Sequence, residues 1–277
     1  MSPSLTSLAR SSAGIQRPTV GTRLASRGRT LPVNEPSEAA ENPKKKNLRS
    51  AGADSLGAGS TRNSRRVMRL AVLGATGSIG RELVAQALAA DHEVTALVRG
   101  QRNPDGLDQR VALVVGDATN AADVKRAVDG SDAVINALGH TKGSPDDILL
   151  RATESVIAAM HANGVDRLVV LSSPAVVDSA DRPGFRYRAA RVLLRVVIPA
   201  VVRDHRAQAR VIEESDLAWT IVRGPLVFTD GPRTGRYHAG PVGHHSGLRI
   251  SRADLAEFML ETSTNSDFVR TKPLVSE

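Results

Sequence analysis

The segment Gly74-Ala75-Thr76-Gly77-Ser78-Ile79-Gly80 carries the clearest chemistry in this sequence. Glycines at this spacing permit a tight turn and let the backbone approach a charged group closely. An apolar run precedes the turn and helical spacing follows it, the strand–turn–helix context in which such a motif is informative. A helix that starts in the turn presents unpaired N–H groups and a partial positive charge to an anion. Gly74, Thr76, Gly77, Ser78 and Ile79 are therefore expected to cradle a pyrophosphate, and Gly80 to let the helix pack close to the sheet. The spacing is G-x-x-G-x-x-G, not the commoner G-x-G-x-x-G.

The elements that must position this turn can be read from the apolar pattern. Strands are expected at 69–73, 94–98, 111–115, 133–138, 168–171 and 219–222, as near-continuous apolar runs of the kind buried parallel strands show. Helices are expected at 78–90, 121–128, 146–163, closed by Gly164, and 208–215. Alternating strand and helix implies an α/β fold: a single Rossmann-like, doubly wound parallel sheet with helices on both faces. Ser251, with Asp254 three residues on, reads as the N-cap of a further helix.

Ligands of such sheets sit outside the carboxyl ends of the strands, so those ends name further candidates. The second strand ends in Arg99, with Arg102 close behind. A guanidinium there suits a ribose 2′-phosphate, whereas an acid would suit the 2′-hydroxyl, so the expected cofactor is NADP(H). The third strand ends in Asp117-Ala118, with Asp117 placed to accept from an adenine amino group. Ala137, Leu138 and Gly139 end the fourth, where the cofactor can lie against the backbone. Ser172 and Ser173 end the fifth, beside the expected nicotinamide. The sixth runs into Arg223-Gly224-Pro225-Leu226-Val227, whose backbone at Pro225 and Val227 could meet the carboxamide.

These residues, together with Val114-Val115-Gly116-Asp117, Asp132-Ala133-Val134-Ile135 and Gly164-Val165-Asp166, resemble the atypical short-chain dehydrogenase/reductase superfamily, NmrA-like branch. Within it the sequence is most similar to the biliverdin reductase/flavin reductase group. The resemblance runs from Met68 to about Phe268. It implies hydride transfer from NADPH to a planar conjugated acceptor such as a flavin, quinone or linear tetrapyrrole. It also implies that Gly74, Thr76, Gly77 and Gly80 form the phosphate turn, that Arg99 meets the 2′-phosphate, and that Asp117 meets adenine. Ser173 then lies near the nicotinamide, and His205 helps hold its ribose. Ser173 and His205 are the expected catalytic residues.

The departure from the family concerns acid catalysis. Classical members use Tyr-x-x-x-Lys, where the lysine lowers the tyrosine pKa. Here His205 falls at the lysine position and Val201 at the tyrosine position. Tyr187, with Arg191 at lysine spacing, is a weaker alternative donor. A chain without that acid also suits an NADP(H)-sensing regulator that binds a protein partner. The short segment after the sixth strand speaks against a sugar-nucleotide epimerase.

Charge is unevenly spread. Residues 1–67 hold 12 Lys and Arg against 4 Asp and Glu, whereas the remaining residues hold 25 of each and are neutral. The high pI therefore belongs to the extension, and a nucleic-acid partner is not expected. Residues 1–67 lack apolar periodicity and are expected to be disordered, leaving 68–277 as the NAD(P)-binding domain. The acid-free residues 1–34 resemble an organelle transit peptide. Met68, just before the first strand, is where a compact chain would begin, so a cytoplasmic location is the main expectation.

There is no cysteine, which excludes disulfides and thiol chemistry. The apolar run at 192–202 is interrupted by Arg195 and Pro199, so it is expected to be a buried or lid helix and not a membrane span. The stretch 178–202 is expected to form a basic lid favouring an anionic, planar small-molecule acceptor; no membrane partner is expected. His238, His244 and His245 stand in a glycine-rich loop expected near the substrate rim. No further ligand lies near them in sequence, so no metal is expected. The sequence leaves the oligomeric state open and is compatible with a monomer.

Overall fold

The computed structural model describes residues 66–100, 106–243 and 246–277. Arg102, His244, His245 and the extension up to residue 65 lie outside the described residues. The expectations of disorder and targeting therefore fall outside them too.

The chain begins with β1 (Arg69–Leu73), α1 (Ser78–Ala89), β2 (Glu93–Val98), β3 (Ala112–Val115) and α2 (Ala121–Val128). It continues through β4 (Ala133–Asn136), α3 (Ile148–Asn163) and β5 (Arg167–Ser172). Two consecutive helices follow, α4 (Phe185–Val197) and α5 (Pro199–Glu213), before β6 (Ala218–Arg223). Last come β7 (Val227–Thr229), β8 (His238–Gly240), β9 (Arg249–Ser251), α6 (Arg252–Thr264) and β10 (Leu274–Ser276).

The main sheet runs β3-β2-β1-β4-β5-β6-β10-β8. All neighbours pair in parallel except β8 with β10. The strand order reverses between β1 and β4, and that reversal opens a crevice beyond their carboxyl ends. Successive residues of a strand point to opposite faces, and here both faces are buried. Leu70, Val72, Ala96 and Ile135 pack with α1 and α6 on one side. Ala71, Leu73, Val134 and Leu168 pack with α2, α3 and α5 on the other.

All six expected strands form, and so does the α/β sheet. β7 to β10 were not expected, because three-residue strands carry too little period to be read. The helix expected at 208–215 starts at Pro199, where a proline at the first helical position needs no N–H partner. The run at 192–202 is not one buried helix. It breaks at Ile198 between α4 and α5, and much of its apolar surface faces solvent.

Gly164 closes α3 with φ of 65°, a left-handed cap that glycine adopts without strain. The Ser251 side chain accepts from the Asp254 N–H and caps α6, as its spacing implied.

Candidate functional site

The glycine turn is shaped by contacts that leave no space for side chains. Gly74 has φ of +80°, and a Cβ there would lie 2.6 Å from the Ala137 carbonyl oxygen across the β1/β4 crevice. A Cβ on Gly80 would lie 2.0 Å from the Gly74 oxygen. Gly80 is therefore a packing residue, and the backbone at 74–79 forms the lining itself. Gly77 occupies the N-cap of α1 and has no side chain to satisfy the helix's first N–H groups. Among the described residues the first turn holds no acid. The helix start is thus suited to an anion, which is the fit a dinucleotide pyrophosphate requires.

Two cavities meet at this turn. The first, about 400 Å³, is lined by Gly74, Thr76, Gly77, Arg99, Asp117 and Ala118, and by Ala137, Leu138 and Gly139 from the far side of the crevice. Asp117 Oδ1 accepts hydrogen bonds from the Thr119 N–H and hydroxyl, each 2.8 Å. These bonds, with the nearby Arg99 and Arg151 charges, hold its pKa below the ordinary range. Arg99 is exposed at the rim.

The second cavity, about 490 Å³ and mostly apolar, is lined by Ser78, Ile79, Ser172, Ser173, His205 and Pro225. It shares Gly77, Ala137, Leu138, Gly139 and Thr141 with the first. The expected binding residues on the described chain thus gather in one cleft, with two exceptions. Gly80 packs behind it. Val227 starts β7 and pairs with Arg249, half exposed, while its neighbours Leu226 and Phe228 line the cavity instead.

His205 and Ser172 face each other, with Nδ1 3.3 Å from Oγ. Burial pushes the His205 pKa down to about 4, His140 adds repulsion, and Asp204 opposes the shift. The shift favours an uncharged ring at neutral pH, one nitrogen of which can hold a hydroxyl.

His140 was missed by the sequence reading, although the same strand-end rule that named Gly139 would have found it. Its ring lines the second cavity, and Nε2 lies 2.9 Å from Asp204 Oδ2, off the line of a good hydrogen bond. Asp204 is fully buried. Its two oxygens accept from the Leu149 and Leu150 N–H groups and cap α3 from a distant helix. One carboxylate therefore anchors α3 against α5 and fixes the histidine at the cavity wall.

Tyr187 is not at the site. Its hydroxyl donates to the Gly247 carbonyl, and its ring packs with Val242 and Leu274. Burial pushes its pKa up to about 12. Arg191, its expected partner, instead donates to Asp181 Oδ2 at 2.7 Å. Asp181 also accepts two bonds from the fully buried Arg223 and one from the Val242 N–H. These partners overcome burial and hold the carboxyl well below its ordinary pKa. The cluster ties α4 to β6 and to the glycine-rich loop. The described part of that loop is thereby built into the sheet edge, with His238 in β8, and its described residues do not line the second cavity.

Val201, at the position where classical relatives place tyrosine, lines the second cavity with Leu194 and Ile198. The α4–α5 elbow therefore offers this cavity an apolar wall.

Comparison with known proteins agrees with this geometry. A family model described as NAD(P)H-binding matches residues 74–266, and the chain belongs to that family. An uncharacterised protein of Mycobacterium tuberculosis (strain ATCC 25618 / H37Rv) is 33% identical over 185 residues, 60% of this chain. The chain spans only 21% of that relative's length. A Streptomyces protein named 3-diazoavenalumate denitrifying reductase is 30% identical over 61% of this chain and 58% of its own length. In fold, the chain is similar to a Veillonella parvula short-chain dehydrogenase/reductase crystallised with NADP. The TM-score is 0.62 at 22% identity, over 76% of this chain and 94% of the other. Among the described residues no helix is long and apolar enough to cross a membrane.

Proposed function

We propose that this protein is an NADPH-dependent reductase of a planar conjugated acceptor of the flavin, quinone or linear-tetrapyrrole type. The observation that carries the reading is the continuous cleft. It starts at the glycine turn and Arg99 and ends at Ser172 and His205, with shared walls at Gly77 and 137–139. That order matches the parts of a dinucleotide: adenine and 2′-phosphate by Asp117 and Arg99, pyrophosphate at the α1 start, and nicotinamide against Ser173 and Pro225. Support comes from the reductase relative and from the NADP named with the Veillonella structure.

When bound, NADPH would supply a hydride to the acceptor. The neutral His205, held by Ser172, orients the ribose. The apolar wall of Leu194, Ile198 and Val201 excludes water and takes the acceptor's flat face. Reduction also takes one proton. The group that provides it is His140, oriented by Asp204, which then recovers a proton from solvent. With valine where classical relatives keep tyrosine, the cavity favours acceptors that take up protons readily over isolated carbonyls.

The test is NADPH oxidation by the full chain with FMN, a quinone and biliverdin as acceptors, alongside NADPH and NADH affinities. Turnover on one acceptor with NADPH preferred supports the reading. Tight NADPH binding with no turnover favours the second reading, a non-catalytic NADP(H) sensor, to which Val201 in the tyrosine position points.

A further inference from the structure

Helix α4 presents its apolar stripe to solvent. Phe185 is 84% exposed, Val192 57%, Leu193 62%, Val196 74% and Val197 65%. With the exposed Ala189, these positions recur at helical spacing and form one continuous face. An amphipathic helix ordinarily buries that face in its own core. Here the buried side of α4 is a different one, held by Tyr187 and by Arg191 on Asp181.

The charge around the stripe has one sign. Residues 185–213 hold seven arginines and two acids. One acid, Asp204, is buried and occupied by the α3 start, and the other, Glu213, meets Lys272. Arg186, Arg188 and Arg195 flank the stripe in solvent, with Arg203 and Arg206 on α5. The crowding is felt within the protein: after burial, Arg195 and Arg191 are the charges that push the Arg206 pKa down. On the inner side of the same elbow, Leu194 and Ile198 wall the apolar cavity.

We infer that the α4 stripe and its arginines form a docking surface for an anionic lipid bilayer. An apolar helix face bordered by cations is the pattern that lies in the headgroup region, its side chains entering the acyl boundary while guanidinium groups meet phosphates. A second copy of this chain fits less well, because a two-fold contact along the stripe would set arginines against arginines. The sequence reading expected no membrane partner because no span is present, but surface docking needs none. The inference goes beyond the reductase reading and does not depend on it, since binding is measured without turnover. Where that reading also holds, the elbow brings the acceptor cavity to the bilayer surface, and the acceptor is a lipid-borne one.

The experiment is co-sedimentation of the full chain with phosphatidylcholine vesicles made with and without phosphatidylglycerol. Binding that requires phosphatidylglycerol is expected. The double substitution Leu193→Asp with Val196→Asp should weaken it about tenfold or more, since each places an acid in the headgroup layer. Neither residue lines the cleft, so NADPH affinity should stay unchanged and report an intact fold. Unchanged binding by the double variant would overturn the inference and assign binding to the basic residues before 66. Failure of the parent chain to bind would also overturn it. So would self-association, seen by analytical ultracentrifugation, that the same substitutions dissolve.

Discussion

The two ends of the cleft are built in opposite ways. The glycine-turn end is lined largely by residues close in sequence, Gly74, Thr76 and Gly77, and by the strand end at 137–139, with Arg99 and Asp117 beside them. The His205 end is made of side chains from residues far apart in sequence, held by buried charges: Asp204 on the α3 start, and Asp181 on Arg191 and Arg223. Backbone recognition is indifferent to most side chains and needs only space, so it survives wherever the glycines do. Side-chain recognition depends on each buried charge keeping its partner. The difference explains how the His205 end accommodates Val201 beside a histidine pair while the turn end needs only the space its glycines leave.

That contrast can be broken most directly at Asp181. Asp181→Ala leaves Arg223 fully buried without its carboxylate, and a loss of about 3–5 kcal/mol in unfolding free energy is expected from denaturant titration. A loss below about 1 kcal/mol would show that the His205 end does not rest on this cluster.

His140→Gln sharpens the same contrast on the chemical side. Turnover with whichever of the three acceptors the parent chain reduces should fall about 100-fold while NADPH affinity stays within error, the mark of a proton donor that takes no part in nucleotide binding. Equal turnover would remove His140 from the reaction.

At the nucleotide end, Arg99→Ala should raise the NADPH Kd about tenfold, or ~1.4 kcal/mol, and leave the NADH Kd unchanged. Calorimetric titration of both nucleotides checks this, and equal losses for both would mean that Arg99 does not meet the 2′-phosphate.

The smallest effect concerns pH. His205 titrates at about 4 in the fold against about 6.5 in an open chain. As pH falls below 6.5 the unfolded chain takes up a proton that the folded one refuses, so stability declines toward pH 4. For a partly exposed ring the loss is ~1–2 kcal/mol. Thermal unfolding across this range should show it in the parent chain and show it reduced in His205→Asn.

Much of the nucleotide end was legible because its information is local. A strand, three glycines and a helix lie within one short segment, and Arg99 and Asp117 follow from the rule that ligands gather at strand ends. Val227 falls outside the cavity lining, where its neighbours Leu226 and Phe228 stand, because a strand's alternation decides which side chains face a cavity and β7 was too short to be read. Tyr187 was a candidate only because spacing within a helix says which residues share a face, not what that face meets. The fold turns it onto Gly247 and into a small apolar cluster.

By itself the sequence determined the α/β alternation, the positions of six strands along the chain and the turn at 74–80, because apolar period and glycine conformation act over neighbouring residues; their order in the sheet came from the tertiary structure. The tertiary structure alone decided that His140 meets Asp204, that Asp181 binds Arg223, and that the apolar side of α4 faces outward. Each of these joins elements tens of residues apart, and only the packing of helices on the sheet brings them within reach.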